Sequence, residues 1–316
     1  MTVDVVAAGG CTVDIVYAAD GTTRGRQLGG NAIYAAAGAR IWGLQTGVVA
    51  FRGTGLPDGW DKVLAALEID TEGLTPVDAP ASVTEFFYSA EGERMQRVWS
   101  RAGSGGVVPY LPAETGEPIR QLRLSADLVP ERYRRAQGAH VGPTHADAQR
   151  ALITAFAPVG VLTLDPYPHL MAEATDEELR SLLEPVAAFL PSREEVGVRF
   201  PDLTPEDALD RLAEFARVAT VIKLGRRGAL LYDRAAGRRF VVPALPVAVT
   251  DPTGAGDAFC GGMLAGLVQA CGVPEAAARG AVSASFAVED FGLGAMLRAT
   301  PDERKRRLRW VLERGQ

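Results

Sequence analysis

An aspartate standing directly behind three small residues is the part of this chain best equipped for chemistry. Asp257 follows Gly254, Ala255 and Gly256 within DPTGAGDAF, residues 251–259. The apolar run VVPALPVAV precedes the segment and the small-residue run CGGMLAGL follows it, which predicts strand, tight turn, then helix. A helix N-terminus leaves backbone N–H groups unpaired and carries partial positive charge. Glycines there let a phosphate come close to the backbone. A carboxylate beside it is placed to take the proton of a hydroxyl that attacks phosphorus. The same residues also suit an ordinary capped turn, so the rest of the chain has to weigh in.

The elements that must position this turn alternate along the chain. Residues 3–8 form a short apolar run ending in Gly9-Gly10, a strand entering a turn. Residues 31–42 are alanine-rich and apolar all round, which predicts a buried helix. A second helix is expected over 59–68. VTEFFYS (83–89) and RMQRVWS (94–100) are rich in β-branched and aromatic residues, with a hairpin turn between them. Further strands are expected over 159–164, 188–190 and 219–224. Helices are expected over 147–156, 176–185 and 205–218, the last opened by a capping box at Thr204, with a second box at Thr300. Segment 103–128, rich in Gly, Pro and Ser, reads as loop. Alternation of this kind argues for a parallel sheet covered by helices on both faces.

Composition narrows the classes. The 316 residues are 47% hydrophobic and 23% charged, an ordinary globular balance. A net charge of −6 argues against a nucleic-acid partner. Only Lys62, Lys223 and Lys305 are lysines and no Gly-Lys dipeptide exists, so a Walker-type phosphate loop is absent. The first turn, AAGGCTVD, also lacks the dinucleotide fingerprint of a nicotinamide dehydrogenase. Cys11, Cys260 and Cys271 fit neither a zinc nor a redox spacing and read as small-residue packing in a reducing cytoplasm. His140, His145 and His169 are too scattered for a metal cluster. The N-terminus carries Asp4 and Asp14 without a basic region, unlike a signal peptide. No run approaches the roughly 18 apolar residues of a membrane span. The basic PDERKRRLRW reads as the solvated face of the last helix.

The DPTGAGDAF segment resembles the C-terminal signature of the ribokinase-like (PfkB) family of carbohydrate kinases, nearly residue for residue, and the resemblance continues in order from about residue 5 to 294. It implies an α/β fold: a doubly wound, mostly parallel sheet flanked by helices, one domain over 1–316, with a small β-sheet lid from about 12–28 and 83–106. It implies ATP-dependent phosphorylation of a hydroxyl on a small sugar or sugar acid. Asp257 would be the base, and the amides of Gly254, Ala255 and Gly256 an anion hole.

Other segments carry further roles by the same resemblance. LGGNAIY looks like the family's N-terminal glycine pair. That implies close approach of the acceptor to Gly29 and Gly30, with Asn31 on its hydroxyls. The family often has a second Asn where this chain has Tyr34, whose ring changes the size and polarity of the acceptor pocket. Asp14 matches a carboxylate that accepts two sugar hydroxyls, a task for an acceptor-only group. LPSREEV resembles an Asn-x-x-Glu motif with Ser192 replacing the Asn, so Glu195 would help hold Mg2+ near the phosphates. VIKLGRRGALLY resembles the strand–turn–strand beside the nucleotide, which places Lys223, Gly225 and Gly228 near ATP, with Thr253. Residues 281–295 would line the adenine pocket. Asp165-Pro166 falls where the family frequently has Asp-Pro. Asp251 and its neighbours would hold a monovalent cation such as K+, as in some relatives. The lid strands are apolar on both faces, which suits pairing into a homodimer. Two other readings stay open: a nucleoside kinase of the same family, with Tyr34 stacked on the base, and a catalytically silent binding relative.

Overall fold

Nearly continuous apolar runs, such as VVAA and VLTL, can be buried on both faces only inside a helix-covered parallel sheet. The structure is a computed structural model. It describes residues 2–17, 20–23, 25–88, 94–98, 107–109, 119 and 122–315. Among them the strands are β1 Val5–Ala8, β2 Thr12–Tyr17, β3 Arg26–Gly29, β4 Thr46–Thr54, β5 Ile69–Asp70, β6 Leu74–Pro80, β7 Val83–Tyr88, β8 Arg94–Val98, β9 Val107–Pro109, β10 Gly138–Val141, β11 Val161–Leu164, β12 Ala188–Phe189, β13 Ala219–Lys223, β14 Ala229–Asp233 and β15 Arg238–Val242.

The larger sheet runs β15-β14-β13-β12-β11-β10-β1-β4-β5, with β6 beside β4. Every pair from β5 to β13 is parallel, and β13–β14–β15 close that edge as an antiparallel meander. The chain starts in the middle of the sheet, at β1, and winds outward in both directions. The resulting switch point lies between β1 and its neighbours, where open α/β sheets form a crevice at the carboxyl ends of their strands. Helices Asn31–Arg40, Ala255–Val268 and Val273–Ala287 share one core with one face of the sheet. Helices Ala146–Phe156 and Pro205–Leu212 pack in a second core with strand residues such as Val141 and Leu164. The mostly parallel, doubly covered architecture expected from the sequence is present.

The second sheet runs β3-β2-β7-β8-β9 and contains the expected β7–β8 hairpin, whose turn lies outside the described residues. Segment 103–128 departs from the loop reading. Val107–Pro109 adds an antiparallel strand to β8, and Ala126–Leu128 forms a 3-10 turn. The strand is three residues long and ends in proline, so it carries almost no periodicity to read.

Helix packing around the future site is unusually close. Gly38 faces the Ala258 backbone and Gly261 faces the carbonyl of Ala35, and a Cβ on either glycine would overlap that backbone. Helices Asn31–Arg40 and Ala255–Val268 therefore meet backbone to backbone over several turns, which larger residues could not allow. The expected helix over 205–218 stops at Leu212. Beyond it, the N–H groups of Arg217, Val218 and Ala219 donate to the carbonyls of Val186 and Ala187, drawing the chain into β13.

Candidate active site

The carboxyl edge of the sheet brings the sequence-selected residues together. Gly254 adopts the left-handed conformation, with φ 75°, and caps helix Ala255–Val268. Asp257 sits in that helix's first turn. Ala255, Gly256 and Asp257 are at least partly exposed, so the first helical amides face the crevice. The Ala255 N–H makes a long 3.4 Å bond to the Pro252 carbonyl, and the helix dipole favours an anion at this end. Tyr34 lies beneath this turn: a Cβ on Gly254 would overlap its ring. The ring is only 1% exposed. It is a floor under the glycine turn and not an open wall of the acceptor pocket, the place expected for it from sequence.

A buried charged group lies next to the turn. Lys223 ends β13, and its Nζ pairs with the Asp165 carboxylate that follows β11. Cys260 Sγ stands 3.5 Å from Lys223 Nζ and 3.6 Å from Asp165 Oδ2. A Cβ on Gly256 would lie 3.7 Å from the Lys223 ammonium, so this charge sits against the helix's first turn. Glu195 occupies the first turn of helix Arg193–Arg199, in a reciprocal capping box with Ser192. The Ser192 N–H donates to Glu195 Oε2, and the Glu195 N–H donates to Ser192 Oγ at 3.3 Å. The serine that replaces the expected Asn thus fixes the glutamate by capping.

Burial dominates the electrostatics. It lifts Asp165 to about 6 against the pull of Lys223, helped by the negative charge of Asp257. It lifts Glu195 to about 7, reinforced by Asp165. Burial works against the Lys223 ammonium, yet Asp165 outweighs it and holds that pKa well above the usual lysine value. In β10, His140 is driven down to about 3 by burial and by Lys223, so it is neutral. Its Nδ1 meets Thr163 Oγ1 at 2.9 Å.

The residues expected to meet the acceptor sit on glycine contacts. Gly29 lies against the buried Asp14 carboxylate, with no room for a Cβ. Thr12 Oγ1 donates to Asp14 Oδ1 at 2.8 Å. Gly30, at φ 109°, packs on the Gly10 carbonyl. Asn31 is held at both ends: its Oδ1 accepts from Gly10 N–H at 2.8 Å, and its Nδ2 donates to the Pro143 carbonyl at 2.6 Å. Gly225 and Gly228, expected beside the nucleotide, form the 3-10 turn between β13 and β14, both with positive φ. Gly228 packs against the Val242 carbonyl, whereas the space at Gly225 is open. Thr253 is buried, and its N–H donates to Asp251 Oδ1 at 2.8 Å.

Two buried carboxylate oxygens among the described residues have no hydrogen-bond partner. Asp165 Oδ1 is buried and unpartnered beside Glu195 and Lys223. Among the described residues no three ligand side chains converge into a protein cage. That donor set fits Mg2+ bound chiefly by phosphate and water. Asp251, 1% exposed, has Oδ2 buried without a partner, and burial raises its pKa. An orphaned buried carboxylate oxygen is costly unless a cation meets it, which fits a monovalent ion there.

Sequence reasoning gave no role to Cys260 and His140, and only a guess to Asp165. Cys260 was read as packing, and its place beside Lys223 and Asp165 depends on strand order that no local pattern reveals.

A family model described as pfkB family carbohydrate kinase matches residues 124–300. The chain is 26% identical over 265 residues to a cytidine kinase of Thermococcus kodakarensis, covering 83% of this chain and 88% of that protein. The adenosine kinase of Sinorhizobium meliloti superposes with a TM-score of 0.74 at 18% identity, covering 95% of this chain and 98% of the other. A candidate ribokinase II from E. coli, solved with ATP and Mg2+, does so at 0.70 and 22% identity, covering 98% and 99%. At these identities the two superpositions speak for the fold alone.

Proposed function

Because the chain belongs to the pfkB family of carbohydrate kinases, a family of phosphotransferases with an alcohol acceptor, we propose that it moves the γ-phosphoryl group of ATP to a hydroxyl of a sugar, either free or part of a nucleoside. The observation that carries this reading is the left-handed Gly254 cap with Asp257 in the helix's first turn, set against the Lys223–Asp165 pair. The cytidine kinase among the similar proteins acts, by its name, on a nucleoside.

In this reading the acceptor lies between the smaller sheet, acting as a lid, and the strand ends. Asp14 orients its hydroxyls while Gly29, Gly30 and Asn31 shape the floor. Asp257 accepts the proton as the hydroxyl oxygen forms its bond to phosphorus and the bond to ADP breaks. A carboxylate is a weak base, which suffices where the transition state is loose and the proton leaves late. The amides of Gly254, Ala255 and Gly256 meet the charge on the transferring group, a fixed array of donors that needs no reorganisation. Lys223, Gly225, Gly228 and Thr253 border the nucleotide. Glu195 and Asp165 would hold a hydrated Mg2+, which when bound neutralises phosphate charge. Asp251 would hold K+, adding positive charge behind the anion hole. Lid strands of two chains would pair into a homodimer.

The test is ADP release by purified protein with Mg2+ and ATP across ribose, fructose, 2-keto-3-deoxygluconate, adenosine, cytidine and pseudouridine. Release on one acceptor, with a phosphorylated product of matching mass, is expected. Release equal to the acceptor-free rate on every compound would count against the reading.

A further inference from the structure

Tyr34 is enclosed under the Gly254 turn, so recognition of anything attached to the acceptor sugar has to come from other side chains. Three rings stand together at the carboxyl edge of the sheet. His145 follows β10, and Tyr167 and His169 follow β11. The His145 and Tyr167 centroids are 5.8 Å apart with planes tilted 49°. Tyr167 and His169 are stacked at 5.2 Å, with planes 20° apart. These spacings lie within the range of favourable aromatic pairing. All three residues are partly exposed, and the His169 side chain is 44% exposed.

The backbone under these rings is fixed. Gln149, fully buried, donates from Nε2 to the carbonyls of Gly142 at 2.9 Å and Asp165 at 2.7 Å. Its Oε1 accepts from Tyr167 N–H at 2.9 Å. One glutamine thereby staples the two strand-end loops together. His145 and Tyr167 each precede a helix, Ala146–Phe156 and Pro168–Glu173. The array also has a defined place. Asn31 grips the Pro143 carbonyl, two residues before His145. Asp165, two residues before Tyr167, pairs with Lys223 beside the Asp257 turn. The two loops that carry the rings are thus anchored to Asn31 and to Lys223 two residues upstream. Glu173 Oε1 lies 3.7 Å from His169 Nδ1, which puts a carboxylate at the outer end and disfavours an acidic acceptor.

We propose that His145, Tyr167 and His169 form a stacking shelf for a planar heterocycle, so that the acceptor is a neutral nucleoside; this rests on the phosphotransfer reading above. A free sugar has no ring system to lay on such a surface. Base stacking on one aromatic residue is worth roughly 5- to 150-fold in affinity.

The experiment is calorimetric binding of cytidine, adenosine and ribose to the whole protein and to Tyr167→Ala, Tyr167→Phe and His169→Ala, without ATP. At least one nucleoside should bind about tenfold or more tightly than ribose. Tyr167→Ala and His169→Ala should weaken that nucleoside about 5-fold or more, and Tyr167→Phe should keep it. ATP affinity of the same preparations is the folding control, and His169→Ala serves if Tyr167→Ala fails to fold. Nucleosides binding no better than ribose, or unaffected by both alanine variants, would overturn the shelf. Nucleoside binding that the variants weaken, without ADP release on any acceptor, would uphold the shelf and count against phosphotransfer.

Discussion

Asp165, Glu195 and Asp251 are buried carboxylates, and what each does follows from what stands beside it. Glu195 is held near 7 by burial and by Asp165, against an ordinary value of 4.5. Between those values the folded state keeps a proton that the unfolded chain has lost, so ionising Glu195 costs stability as pH rises. Glu195→Gln removes that cost. In thermal melts without nucleotide or metal, its stability relative to the parent should climb from about pH 4.5 to about pH 7 and then level off. A difference independent of pH would mean that the carboxyl is not buried in this way. Asp251 tests separately. Turnover should increase with K+ over a bulky organic cation, and Asp251→Asn should lose most of that increase. An Asp251→Asn enzyme that responds to K+ like its parent would remove Asp251 from any cation site.

At the scale of elements, the two helices that approach backbone to backbone, Asn31–Arg40 and Ala255–Val268, tie Asn31 and Tyr34 to the Asp257 turn. Tyr34 belongs to the first and supports the cap of the second. Tyr34→Phe keeps the ring and should hold kcat within a few-fold. Tyr34→Ala empties the space under Gly254, costs about 3–5 kcal/mol of stability by analogy with other aromatic deletions, and lets the amides drift. Its kcat should fall by more than tenfold with little change in KM for ATP. A Tyr34→Ala enzyme with parental kcat would show that the turn holds itself.

These elements also show what the sequence could reveal. The glycine-rich turn at 254–256, the N-caps at Thr204 and Thr300 (each making only the threonine half of the expected box), and the hairpin of β7 and β8 depend on neighbours along the chain and are legible there. The Lys223–Asp165–Cys260 cluster and the ring shelf join residues from different strands, so they exist only through strand order. The strand β9 is too short for a period, and helix 205–212 is followed by amides at 217–219 that the carbonyls of Val186 and Ala187, just before β12, draw toward β13. Tyr34 was placed by its position in a motif, yet its burial is decided by Gly254, 220 positions later by the numbering.

Over the whole molecule, a large parallel sheet carries the charged centre and a smaller sheet stands beside it, joined by β1–β2 and by the Gly29-Gly30 turn. No helix among the described residues is long and apolar enough to cross a membrane. Pairing of the smaller sheets predicts a dimer in analytical ultracentrifugation, and a charged substitution at the partly exposed Phe87 on β7 should shift it toward monomer; a parent that sediments as a monomer would end that proposal. Phosphoryl transfer itself is tested most directly by Asp257→Asn in single turnover, with the acceptor that supports ADP release. Loss of at least about 100-fold in the rate of transfer, with ATP binding unchanged, is the expected result. Transfer at a near-parental rate would contradict proton abstraction by Asp257 and, with it, the mechanism built on this turn.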